Sequence, residues 1–250
     1  MKWIRRILAT LFAVLLIGGS LTTAADSDLA VLRRYGEMLF LWVAAAVIVV
    51  YQHPLGARLA LGAAIGLISE IVGVAIGIPF GRYHYTETLG PAIAGVPIVM
   101  VAAWLVLLSY AWTLAMTITQ HAWRARVIIA LAMTMFDLLI DPVAIGPMRL
   151  WVWEQNGIYY GVPLLNFIGW LGVSFLAAVP LNPYGSNHAA SHIVGVAIIA
   201  FFTVIAWRSG IEVATLIGGL LLAFDGIVCR RYWMQYFAQW VSYVPLPLKR

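Results

Sequence analysis

Apolar residues gather into eight long runs separated by short polar segments: Ile7–Thr23, Tyr35–Tyr51, Leu59–Ile78, Val96–Thr119, Val127–Ile145, Leu164–Leu181, Ser191–Trp207 and Ile211–Cys229. Each has the roughly 17–25 residues that an α-helix needs to cross a bilayer. Lipid cannot satisfy an exposed backbone, and the runs lack the period-2 alternation of a membrane barrel, so helix is the default. The pattern predicts an all-α protein: a polytopic membrane helix bundle of about eight transmembrane helices. Nothing along the chain reads as a linker, so residues 1–250 are expected to form a single integral membrane domain.

Composition sharpens this picture. Hydrophobic residues make up 63% of the chain, charged residues 10%, and the mean hydropathy is +0.94. An ordinary soluble domain carries about 25% charged residues. The first run, after Lys2, Arg5 and Arg6 and before Thr22-Thr23-Ala24-Ala25, also resembles a signal peptide. Its length and the missing Ala-x-Ala pattern favour a retained helix. With the N-terminus inside, ten basic residues fall in cytoplasmic segments (among them Arg58, Arg124, Arg126, Arg230 and Arg231) against five outside, namely Arg33, Arg34, Arg82, Arg149 and Arg208. The positive-inside rule then predicts a multi-pass protein of the cell (inner) membrane with both termini cytoplasmic. The net charge of +5 reads as membrane-surface charge, and no nucleic-acid partner is expected. Cys229 is alone, which excludes an intrachain disulfide and reads as a small apolar residue at a helix end. Arg230-Arg231-Tyr232-Trp233, continuing to Tyr236, Phe237 and Trp240, suits an interfacial anchor.

Acidic residues inside the runs carry the functional signal, because a carboxylate at the bilayer centre costs about 2.5–3.5 kcal/mol even on the lenient insertion scale. Four qualify: Glu70, Asp137, Asp141 and Asp225. Glu70 shares a helix face with Gly62, Gly66, Gly73 and Gly77. That stripe reads either as close helix packing or as the smooth wall of a groove for a long flat ligand. Asp137 and Asp141 are four apart, so they share a face, and Pro142 removes a backbone donor beside them. Two carboxyls held together in low dielectric tend to keep a proton, which makes the pair a candidate general acid. The alternative is an interhelical hydrogen bond to Arg149 or Asn166. Asp225 is read as structural, paired with Arg230 and Arg231.

Two polar stretches share one design. Each follows a helix with a buried acid, carries a glycine–tyrosine cluster and closes in Gly-Val-Pro. Glu70 to Pro97 spans 27 residues and Asp137 to Pro163 spans 26, a two-helix internal repeat. Both loops are expected on the outer face, with the acids beneath them. Tyr83, Tyr85, Trp151, Trp153, Tyr159, Tyr160, Phe167 and Trp170 supply aromatic faces that stabilise cations or form a belt at the membrane interface.

Pro79-Phe80-Gly81-x-Tyr83-x-Tyr85-Thr86, Leu89-Gly90-Pro91 and Gly95-Val96-Pro97 resemble the carotenoid biosynthesis family that includes bisanhydrobacterioruberin hydratase and carotenoid 1′,2′-hydratase. So do Asp137-x-x-x-Asp141-Pro142, Trp151-x-Trp153 and Gly157-x-Tyr159-Tyr160-Gly161-Val162-Pro163-x-x-Asn166-Phe167-x-Gly169-Trp170. The resemblance spans Glu70 to Trp170. It implies a cofactor-independent hydro-lyase that adds water across the terminal isolated double bond of a linear carotenoid end, of the gamma-carotene, lycopene or bisanhydrobacterioruberin type. The residue chemistry suits this. Protonating a trisubstituted alkene needs a desolvated acid, aromatic walls around a tertiary cation and an acceptor that orients water. Asp137, Asp141 and Glu70 are the candidate catalytic groups. Gly66, Gly73, Tyr83, Tyr85, Trp151, Trp153, Tyr159, Tyr160, Asn166 and Trp170 are the candidate substrate-binding positions. No metal and no other cofactor is expected, and the expected partners are a carotenoid, the lipid bilayer and other enzymes of the pathway.

Three rival readings stand beside this one. Asp137-Leu138-Leu139-Ile140-Asp141 resembles one magnesium-diphosphate box of a membrane prenyltransferase, but a second aspartate cluster is missing. His188 and His192 share a face as in a di-iron hydroxylase, yet His53, His84 and His121 stand apart. A transporter or carotenoid-binding scaffold also accommodates intramembrane acids and a repeat.

Overall fold

The computed structural model describes residues 2–22, 30–51, 56–181 and 189–235. Thr23 to Ala25, His53, Asn182 to Gly185, His188, Tyr236, Phe237 and Trp240 lie outside the described residues. Within them, the apolar runs become eight α-helices: α1 (Lys2–Thr22), α2 (Ala30–Tyr51), α3 (Gly56–Ile76), α4 (Met100–Ile118), α5 (Ala122–Ile145), α6 (Leu164–Ala177), α7 (Ala189–Arg208) and α8 (Glu212–Val228). The protein is an all-α bundle. Four helices, α3, α4, α5 and α7, are long and apolar enough to cross a membrane; Tyr35–Tyr51 and α6 are apolar but shorter.

Burial follows the needs of lipid. The central α4 is buried along most of its length, from Met100 to Met116, and packs on α2, α3, α5 and α7. The outer α8 turns Leu216, Leu220 and Ile227 outward, as a helix facing hydrocarbon should. Thr113, Thr134 and Thr203 each donate their hydroxyl to the carbonyl one turn back, so these three hydroxyls are satisfied within their own helices. A tight hairpin joins α7 to α8. Ile211 N donates to Ala206 O, Gly210 N donates to Trp207 O, and Gly210 has φ +69°. This is the glycine-dependent closure that satisfies a helix's last carbonyls.

The two polar stretches hold short strands that hydropathy alone does not indicate. Strand β1 (Tyr83–Tyr85) pairs antiparallel with β4 (Trp151–Trp153), placing Tyr83 opposite Trp153 and Tyr85 opposite Trp151. Strands β2 (Ala92–Ile93) and β3 (Val96–Pro97) form a small hairpin. The α4 run therefore starts at Met100 and not at Val96.

The internal repeat has a structural counterpart. Ala94 and Gly95 turn the first hairpin with φ +50° and +80°. Tyr160 and Gly161 turn the equivalent bridge with φ +50° and +91°. Two consecutive positive φ values mark the primed two-residue turn that matches strand twist. Seven residues beyond each Gly-Val-Pro proline stand Trp104 and Trp170, and their rings stack on one another at 4.5 Å and 8°. The two-helix units α3–α4 and α5–α6 are thus related by an approximate two-fold running past the β1–β4 pair and between these indoles.

Candidate functional site

Each helix–loop–helix unit delivers an acid and its donors to one place. Glu70 comes from α3. Its Oε2 accepts from the Tyr83 hydroxyl and, at 3.0 Å, from the Tyr85 hydroxyl, while Oε1 accepts from Trp104 Nε1 at 3.2 Å. Asp137 and Asp141 come from α5. Asn166 on α6 donates one amide to both, at 2.6 Å to Asp137 Oδ2 and 2.8 Å to Asp141 Oδ2. Trp151 Nε1 donates to Asp141 Oδ1 at 2.7 Å. All three acids and Asn166 are at most 4% exposed. Of the two partners expected for the aspartate pair, Asn166 is the one that bonds it.

The three carboxyls face one small cavity of about 30 Å³, walled by the β1 tyrosines, the β4 tryptophans, Met100 and Trp170. That is room for water, whose share of liquid volume is about 30 Å³. The Trp153 indole N–H is buried in this wall, beside the Asp141 carboxyl. Tyr83 and Tyr85 lie in the loops, where burial, and after it the neighbouring Glu70 charge, push both phenols above their ordinary value. They therefore act as neutral donors to Glu70. A phenol raised on folding contributes stability that is complete below about pH 10 and lost as pH rises towards the raised value. The wild-type thermal midpoint is expected to fall as pH rises above about 10. A Tyr83→Phe/Tyr85→Phe variant should show a flatter alkaline limb in the same melting series.

Tyr159 and Tyr160 do not reach this cavity, contrary to the sequence expectation. Pro142 sits inside α5 and has no N–H, which orphans the carbonyl of Leu138 one turn earlier. The Tyr159 hydroxyl donates to that carbonyl at 2.8 Å. Tyr160 accepts at its hydroxyl from Val213 N, tying the loop to α8. Both tyrosines fasten the loop. Tyr159→Phe should lower stability by about 1–3 kcal/mol, the cost of a buried acceptor left unmet, with turnover of the folded fraction unchanged; melting and activity on one preparation separate the two.

The glycine face is also corrected. A Cβ on Gly66 would stand 2.1 Å from the Trp104 ring, one on Gly62 would stand 2.5 Å from Leu108, and one on Gly73 would stand 2.8 Å from Phe80. The stripe is a packing seam, and Gly66 and Gly73 line neither cavity at the site.

Asp225 has partners other than the expected Arg230 and Arg231. Its carboxylate lies 3.0 and 3.1 Å from His192 Nε2 and accepts from Tyr110 at 2.9 Å and Trp233 at 3.0 Å. This buried knot joins α4, α7, α8 and residues 230–235 away from the loops. Cys229 lies beside it, its Sγ within 4.8 Å of the His192 and Asp225 ligand atoms.

Sequence reading missed Trp104, Met100 and the Tyr110–His192 pairing. Trp104 had a usable signal, an indole needing an acceptor in an otherwise apolar span. The family model described as carotenoid biosynthesis protein matches residues 35–225. The chain belongs to that family. Another protein it resembles is the bisanhydrobacterioruberin hydratase of Haloarcula japonica, 35% identical over 125 residues, which are 48% of this chain and 42% of the hydratase. The chain thus covers less than half of that relative's length. No solved structure matches. In this member of the carotenoid biosynthesis family, the acid-lined cavity is walled largely by motif residues, among them Tyr83, Tyr85, Asp137, Asp141, Asn166 and Trp170.

Proposed function

We propose that the protein is a carotenoid hydratase of the cell membrane, with its eight helices in the bilayer and both termini on the cytoplasmic side. The observation that carries this reading is the gathering of three buried carboxyls around one small cavity walled by aromatic rings, in a chain related to a hydratase. The substrate is a linear carotenoid end with a terminal isolated double bond, of the gamma-carotene, lycopene or bisanhydrobacterioruberin type.

The chemistry uses the two halves of the cage differently. The Asp137/Asp141 pair gives a proton to the CH carbon of the alkene, whose π electrons form the new C–H bond. The neighbouring carbon becomes a tertiary cation facing the indole and phenol rings, which stabilise positive charge. Water forms the C–O bond to that carbon and releases a proton to the Glu70 carboxylate, oriented by Tyr83 and Tyr85. Cavity water returns this proton to the aspartates. The Trp153 N–H is placed to donate to the oxygen of the water or the tertiary alcohol.

Purified protein given a linear carotene in ¹⁸O-labelled water should yield alcohol carrying the label, with a mass gain of one labelled water. Label arriving from O₂ instead would overturn the hydratase reading in favour of an oxygenase.

A further inference from the structure

A second cavity adjoins the acid cavity and differs from it in chemistry. It has a volume of about 90 Å³, and its accessible lining is wholly apolar. Leu41 from α2, Ala103 and Leu107 from α4, and Ile198 and Phe202 from α7 form its far walls. Four residues border both cavities: Met100, Asp137, Trp151 and Trp170. Asp137 is the one acidic residue of the three that lines both, with its apolar atoms on the chamber side. Asp141 and Glu70 line the polar side alone.

We propose that this chamber takes the terminal segment of the carotenoid's hydrocarbon chain, and that the chain end meets the acids at Asp137. The inference rests on the carotenoid reading above. It adds where the substrate lies and which acid touches it. An apolar chamber surrounded by helices is a place where a conjugated chain loses no solvation on leaving lipid, and flat indoles at its mouth match a flat polyene. A chain entering from the α2–α7 side passes between Met100 and Trp170 and places its terminal double bond at the border. The acid shared by both cavities delivers the proton there, and the water that follows comes from the polar side. The arrangement also explains why the glycine seam is not needed as a groove: the open space lies on the other side of α4.

The test is carotenoid retention by protein purified from lycopene-making cells, read as visible absorbance per mole of protein. Ala103→Trp fills the chamber and should lower retained carotenoid about tenfold or more, the effect of 1.4 kcal/mol or above. Ala103→Leu should give a graded loss and carries the test when the tryptophan variant does not fold. Leu220→Trp, on the outward face of α8, should retain wild-type amounts. Folded Ala103→Trp or Ala103→Leu protein with undiminished carotenoid overturns the chamber assignment. Wild-type protein that retains carotenoid in the chamber yet adds no water overturns the hydratase reading and leaves the chamber standing, so the two failures are distinct.

Discussion

Asp137→Asn is expected to lower turnover by about 10²–10⁴-fold, the usual size of a lost general acid, with the thermal midpoint close to wild type. The substitution keeps the shape of the side chain. The new amide oxygen still accepts from Asn166, which donates to Asp137 at 2.6 Å. A structural hydrogen bond is worth about 1 kcal/mol, so a purely architectural Asp137 would show the opposite balance, with a shifted midpoint and preserved rate. Asp141→Asn is expected to act in the same direction with a smaller loss, because its carboxyl lines only the polar cavity and is held by Trp151 as well as Asn166. Turnover and melting are measured on each variant in the same detergent. If both variants hydrate carotene near the wild-type rate, the aspartates are not the proton source, and Glu70 takes their place.

Gly66→Leu removes the folded protein. The position faces the Trp104 ring so closely that even a Cβ would meet three ring atoms at 2.1, 2.5 and 2.6 Å. The indole cannot swing aside without breaking its bond to Glu70 and its stack on Trp170. Overpacking ordinarily costs about 1–3 kcal/mol and occasionally more, against a total stability of about 5–15 kcal/mol. With two fixed neighbours, this site belongs at the severe end. The readout is the yield of monodisperse protein and its melting. A groove-wall glycine would instead give normally folded protein that fails to take substrate. Folded, fully active Gly66→Leu protein would contradict both.

The sequence carried the architecture well because lipid enforces it. Runs long enough to span a bilayer cannot be anything but helix, and all eight became helices whose ends differ from expectation by a few residues. The acids were legible for the same reason: burying Glu70, Asp137 and Asp141 in hydrocarbon is costly without a purpose. Their donors were harder to find. Trp104 lies in a stretch that is apolar throughout, and only a third dimension shows that its N–H points at Glu70. Tyr159 was misread because its sequence distance from Asp141 says nothing of the carbonyl that Pro142 leaves bare. The glycine stripe allowed two readings on spacing alone, and the indole filling it decides between them. Asp225 was given its nearest basic neighbours in sequence, whereas a helical hairpin brings His192 to it from 33 residues away.

The approximate two-fold relation between the α3–α4 and α5–α6 units has an evolutionary reading. Two copies of one hairpin meeting face to face make an isologous contact, the geometry that closes a symmetric homodimer. Residues beside the axis face their own counterparts, as Trp104 faces Trp170. A duplicated and fused ancestor of this kind would have had identical sides and no preferred direction of approach. Position 100 and its counterpart 166, each three residues past a Gly-Val-Pro proline, now carry Met and Asn. Methionine borders the hydrocarbon chamber and asparagine clasps the aspartates. Divergence at this pair, together with one glutamate on one side and two aspartates on the other, gives the two halves of the cage different chemistry.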